Sequence, residues 1–133
     1  MQQTARNCEK ISILVVEDEW LIVELVAEAL SDQGFVVQTA GSADEALRKL
    51  ASAPVDVLFS DIELPGSMDG AALARRVRAM LPDISVVYAS AKVALLPLGS
   101  RVPGALFVAK PYEPRRVGEL IAAMNSARAR VPA

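Results

Sequence analysis

Histidine is missing from this sequence altogether. Its absence excludes a Ser-His-Asp triad, a phosphohistidine carrier and any metal site built on imidazole. Cysteine occurs once, at Cys8, so no internal disulfide can form, as expected of a reducing compartment such as the cytoplasm. With no imidazole and a single thiol, a bound metal would meet oxygen ligands only, which suits Mg2+, Ca2+ or Mn2+. No apolar run reaches the ~18 residues of a membrane span, and the opening MQQTARNCEK lacks the apolar stretch of a secretory leader. Membrane insertion is therefore not expected. Direct nucleic-acid binding is not expected either, because a net charge of −2 gives no basic footprint. Aromatics supply only 5% of the chain while apolar residues supply 53%, so a 133-residue domain of this composition builds a chiefly aliphatic core.

What the sequence does contain is an alternation of two periodicities. Ile11 to Val16 reads as a short buried strand, and Leu21/Ile22, Leu25/Val26 and Ala29/Leu30 recur every four residues as on an amphipathic helix. Gly34 is placed to cap that helix at its C-terminus. A second strand spans Phe35 to Thr39; Ser42 with Glu45 three residues later is a capping-box signature, opening a helix with Ala46, Leu47 and Leu50 inward. Val55 to Ser60 is a third strand. After the loop DIELPGSMDG comes a helix with Leu73, Val77, Met80 and Leu81 on one face, stopped at Pro82. Ile84 to Ser90 and Ala105 to Ala109 are strands four and five, and the last helix starts near Pro114 with Val117, Leu120, Ile121 and Met124 as its stripe. Residues 1–10 are expected to be a flexible N-terminus, 11–125 the domain, and 126–133 a fraying tail. Strands alternating with helices form a parallel sheet covered on both faces, whose ligands bind beyond the carboxyl ends of the strands.

Those ends hold the chemistry. Strand one runs into Glu17, Asp18 and Glu19; strand three meets Asp61, strand four Ser90, and strand five Lys110 followed by Pro111. A lone acid after a strand is ordinarily a helix cap, and a lone terminal lysine ordinarily lies in water. Three carboxylates, a hydroxyl and an ammonium converging on one sheet edge are a different matter. Three acids repel one another and gain nothing unless something positive sits between them, and an oxygen-rich pocket of this kind suits Mg2+ retaining several waters.

These pieces, VVEDE, LFSDIELPGSMDG, YASA and VAKPY, carry a resemblance to the receiver domain of bacterial two-component response regulators, covering about 11 to 125 in the right order. The resemblance implies a flavodoxin-like, doubly wound α/β fold with five parallel strands in the order 2-1-3-4-5 and helices on both faces. It implies that Asp61 is the phosphoacceptor, attacking the phosphohistidine of a sensor histidine kinase. Asp18, Asp61 and the backbone carbonyl of Glu63 would bind Mg2+, with Glu17 acting through water. Ser90 would hydrogen-bond the phosphoryl oxygens, Lys110 would pair with them, and Phe107 matches the aromatic switch position. It also suggests a cis bond between Lys110 and Pro111. The partners implied are that kinase and a downstream protein target or phosphotransfer protein; homodimer formation is left open. No external substrate would be turned over, since such a chain phosphorylates and dephosphorylates only itself.

The departures from the family pattern are instructive. Glu17 stands where an aspartate is often found. The loop Pro65-Gly66-Ser67-Met68-Asp69-Gly70 is one residue longer than the commonest form, as in stand-alone alphaproteobacterial regulators that often work with atypical kinase families. Pro97, Gly99, Pro103 and Gly104 disfavour a full fourth helix, which should be short or broken. Val93, Ala94, Leu95, Leu96 and Leu98 of that segment are expected to leave apolar surface for docking. Two rival readings fit less well. A haloacid-dehalogenase-type phosphatase wants Asp-x-Asp where this chain has Asp61-Ile62-Glu63, and a flavin binder wants a phosphate cradle where Glu17 to Glu19 would repel the phosphate.

Overall fold

The computed structural model describes residues 11–91 and 101–130. Within them the elements run β1 (Ser12–Val16), α1 (Trp20–Asp32), β2 (Val36–Ala40), α2 (Ala43–Ser52), β3 (Val57–Asp61), α3 (Gly70–Met80), β4 (Ser85–Ser90), β5 (Leu106–Ala109) and α4 (Pro114–Arg130). All strand pairs are parallel, in the order β2-β1-β3-β4-β5. This is the doubly wound, flavodoxin-like arrangement expected. Its register sets Val16 opposite both Ala40 and Ser60, Asp61 opposite Ala89, and Ser90 opposite Ala109, so the last residues of all five strands share one edge.

Successive side chains of a strand point to opposite faces. Ile13, Val15, Val57, Phe59 and Val87 therefore pack with Val26 and Leu30 of α1 and Val117 and Ile121 of α4. Leu14, Val16, Leu58, Val86 and Tyr88 pack on the other face with Ala46 and Leu50 of α2 and Leu73 and Val77 of α3. Both faces of the central strands are dry, which explains why their sequences are unbroken apolar runs rather than alternating ones. Each buried aliphatic side chain contributes roughly 1.5–3 kcal/mol, and this two-sided core is what holds the charged edge in place.

Helix ends are built much as their sequences suggest. At the end of α1, Gly34 adopts φ of 100°, Phe35 N–H donates to Leu30 O at 3.1 Å and Gly34 N–H to Ser31 O at 3.0 Å, a complete Schellman motif. At α2, Ser42 Oγ accepts from Glu45 N–H at 3.1 Å, but the Glu45 carboxylate reaches the Gly41 N–H at 2.8 Å rather than that of Ser42. The box closes one residue earlier than expected.

Three expectations need correction. On α1 only Val26 and Leu30 are fully buried, while Leu21 and Leu25 are 56% and 53% exposed. The sheet covers a strip narrower than the paired apolar positions, so one member of each of these pairs turns to solvent. Met80 is likewise exposed, while Val77 in the same last turn of α3 is buried and Leu81 just after it packs on the core. The tail expected to fray from Ser126 instead continues α4 to Arg130. Of the segment expected to hold a short or broken fourth helix, residues 92–100, including Val93 to Leu98, lie outside the described residues.

Candidate functional site

Four strand ends and the loop after β3 meet at one point. Asp61 closes β3 and Glu17 follows β1; both carboxylates are buried, at 5% and 4% exposure, although neither belongs in an apolar core. The Lys110 ammonium, just past β5, turns back over the edge and lies 3.0 Å from Asp61 Oδ2 and 3.3 Å from Glu17 Oε1. The Lys110–Pro111 peptide is cis. Glu63 N–H donates to Asp61 Oδ1 at 3.1 Å, and Glu19 N–H donates to Glu17 Oε2 at 3.2 Å. Asp61 is thus held on both oxygens by a cation and an amide, a fixed rather than a searching side chain.

Glu17, Asp18 and Asp61 each bring one oxygen within 4.8 Å of the others, with Asp18 exposed at the mouth. Among the described residues, three carboxylates against one ammonium leave an excess of two negative charges. An all-oxygen donor set, open on one side and short of positive charge, fits a hard divalent cation that keeps part of its water shell. The same shortage shows in the proton affinities. Burial pushes the Asp61 carboxyl above its ordinary range, with the charge of Glu63 adding to it and Lys110 and the Glu63 N–H only partly opposing. Burial likewise raises Glu17, helped by the charge of Asp61. For Lys110, burial alone would lower the ammonium, but its bond to Asp61 and the charges of Asp61 and Glu17 outweigh that and raise it. Tyr112, packed edge-on against Phe59 at 5.5 Å, is pushed up to about 12 by burial and then by the charge of Glu17.

Ser90 is fully buried at the end of β4, anchored by Lys110 N–H donating to its carbonyl at 3.0 Å. Its hydroxyl donates to the Glu63 carboxylate, Oε2, at 2.6 Å. Phe107, half-buried on β5, lies beside Tyr88 with ring centroids 5.0 Å apart, and the Arg101 guanidinium sits 4.4 Å above its ring. The Tyr88 hydroxyl accepts from Val102 N–H at 3.2 Å, tying β4 to the chain leading into β5.

The structure thus brings Glu17, Asp18, Asp61 and Lys110 together and places Ser90 and Phe107 along the adjoining strands. Sequence reasoning gave Glu63 a role through its carbonyl and overlooked its side chain. It also overlooked Gly70, where a Cβ would fall 2.0 Å from Asp61 O. Only glycine lets α3 start that close to the β3 backbone, with Gly70 N–H donating to Ile62 O at 2.8 Å. The Asp-Gly pair at 69–70 was a visible signal, but it reads as an ordinary turn until the loop is folded back.

The chain matches the response regulator receiver domain family over residues 13–122. The transcriptional regulatory protein BaeR of Escherichia coli O6:H1 is 32% identical over 107 residues, covering 79% of this chain and 44% of BaeR. The crystal structure of the receiver domain of NtrX from Brucella abortus has a TM-score of 0.74 at 35% identity, covering 90% of this chain and 99% of that one. The response regulator TrrA from Thermotoga maritima, crystallised in complex with Mg2+ and BeF, has a TM-score of 0.73 at 29% identity, covering 86% and 98%. This chain spans less than half the length of the curated relatives it matches, 44% of BaeR and 17% of the nitrogen assimilation regulatory protein NtrX of Azorhizobium caulinodans.

Proposed function

The chain belongs to the response regulator receiver domain family, and from that premise we propose that it is a Mg2+-dependent phosphoacceptor switch with Asp61 as its acceptor. The observation that carries this reading is the Asp61 carboxylate held between the Lys110 ammonium and the Glu63 amide, beside two further acids. A carboxylate oxygen of Asp61 bonds to the phosphorus of a phosphohistidine on a sensor kinase as the phosphorus–nitrogen bond breaks, and the imidazole keeps the electron pair. Hydrolysis later reverses the state: water adds at phosphorus, the bond to Asp61 breaks, and inorganic phosphate leaves.

Glu17, Asp18, Asp61 and the Glu63 carbonyl would hold Mg2+, which supplies charge neutralisation at the phosphoryl oxygens when bound. This chain's own residues do the rest. Lys110 is positioned to pair with a phosphoryl oxygen without leaving Asp61's side, and Ser90 supplies a hydroxyl donor from the neighbouring strand. Movement of Ser90 toward the new oxygens would be sensed by Phe107, whose packing on Tyr88 and Arg101 links the site to the chain before β5. In this reading the protein turns over no external substrate, works in the cytoplasm, and signals to a downstream protein or phosphotransfer partner.

The test is labelling with acetyl phosphate and Mg2+. One acid-stable, base-labile phosphoryl group per chain is expected, lost in Asp61→Asn and weakened in Asp18→Asn. Undiminished labelling of Asp61→Asn would sink the assignment.

A further inference from the structure

We propose that the Glu63 side chain is a built-in competitor for Ser90: it holds the serine hydroxyl in the resting state and must give it up when a phosphoryl group arrives on Asp61. This rests on the reading of Asp61 as the phosphoacceptor. The argument is one of donors. A serine hydroxyl has a single proton to donate. That proton is engaged with Glu63 Oε2 at 2.6 Å, the short range of a hydroxyl bonded to an ionised acceptor. The Ser90 backbone cannot shift easily to serve a second acceptor, because it lies in β4 paired with β5 and its carbonyl accepts from Lys110 N–H. A phosphoryl oxygen on Asp61 and the Glu63 carboxylate therefore draw on the same hydroxyl.

Glu63 is placed to bridge the two groups. Its amide donates to Asp61 at 3.1 Å while its carboxylate accepts from Ser90, so one residue spans the gap the phosphoryl group would enter. Its carboxylate, bonded across that gap to Ser90, also works by its charge against an incoming anion. Release is feasible because Glu63, unlike Ser90, is exposed, and its carboxylate can swing into water. The consequence is a phosphorylation equilibrium poised below what the same acids, lysine and serine would give without Glu63.

The experiment compares the wild-type chain, Glu63→Ala, Ser90→Ala and the double variant. Beryllofluoride affinity in Mg2+ is read by calorimetry, and the unfolding midpoint is read in metal-free buffer. Glu63→Ala should bind beryllofluoride about 10-fold more tightly, since a charge-assisted hydrogen bond no longer has to be broken. Glu63→Gln, which keeps an acceptor but not the charge, should fall between. In the Ser90→Ala background the same Glu63→Ala change should have less than about half that effect on a logarithmic scale, and the unfolding midpoints should be non-additive. An undiminished gain in the Ser90→Ala background would mean that Glu63 acts by charge alone and would overturn the competition, as would unchanged or weaker binding in Glu63→Ala or additive midpoints. A wild-type chain that takes neither beryllofluoride nor a phosphoryl label would overturn the phosphoacceptor reading itself, and the competition with it.

Discussion

The two buried acids at the carboxyl edge of the sheet, Glu17 and Asp61, and Glu45 at the start of α2 respond to the fold in opposite directions. Glu45 receives the Gly41 N–H and sits beside Lys49 at 3.3 Å, and its proton affinity drops, chiefly because of that backbone bond. Glu17 and Asp61 also receive a backbone N–H each and share Lys110, yet their proton affinities rise. The difference is burial: Glu17 and Asp61 are nearly closed off from water, whereas Glu45 keeps about a third of its side chain exposed, at 36%. Burial penalises the charged form by more than two hydrogen bonds and a lysine return. A cap acid thus stabilises the fold by being ionised. Glu17 and Asp61 are ionised against the fold, and the deficit is what a bound cation can make good.

Removing the one ammonium that the described residues set against the two buried acids should show the largest effect. Lys110→Ala leaves both carboxylates without their cation and should cost on the order of 3 kcal/mol of unfolding free energy, read in a urea titration without metal. A loss no larger than that of an exposed lysine would erase the contrast. Next comes the cation itself. Mg2+ at a hundred times its dissociation constant should raise stability by about 2.7 kcal/mol, seen as a higher unfolding midpoint in calorimetry. In Asp61→Asn most of that gain should vanish, whereas in Glu45→Gln it should be intact.

At the cap the expected effects are smaller. Ser42→Ala removes the acceptor for Glu45 N–H and should cost about 1 kcal/mol with no change in Mg2+ response. Glu45→Gln should cost a few tenths of a kcal/mol at neutral pH. The sign of its pH dependence follows from the lowered affinity: the stabilisation is present above the ordinary value of 4.5 and is lost as pH falls through the lower folded value. Wild type and Glu45→Gln should therefore converge in acid, and a gap that widened there would reverse the assignment of Glu45 as a stabilising acid.

Much of this protein was legible one residue at a time. The central strands show as apolar runs because both sheet faces are covered there, and the helix caps show as Ser42-x-x-Glu45 and Gly34 because backbone groups at helix ends need specific partners. Glu17, Asp18, Asp61, Ser90 and Lys110 stood out because each follows directly on a strand, and parallel strands bring their ends to one edge. Which oxygen met which donor was a separate matter. Whether Leu21 and Leu25 faced core or solvent depended on how wide a strip the sheet could cover. That the Glu45 carboxylate reached Gly41, that Glu63 took the Ser90 hydroxyl, and that residue 70 had to lack a Cβ all depended on distances across segments far apart in the chain. Hydrophobic period and strand-end chemistry are local properties, written in the order of residues. Burial, and with it the direction in which each acid's proton affinity moved, is a property of everything packed around a group, and only the folded chain could set it.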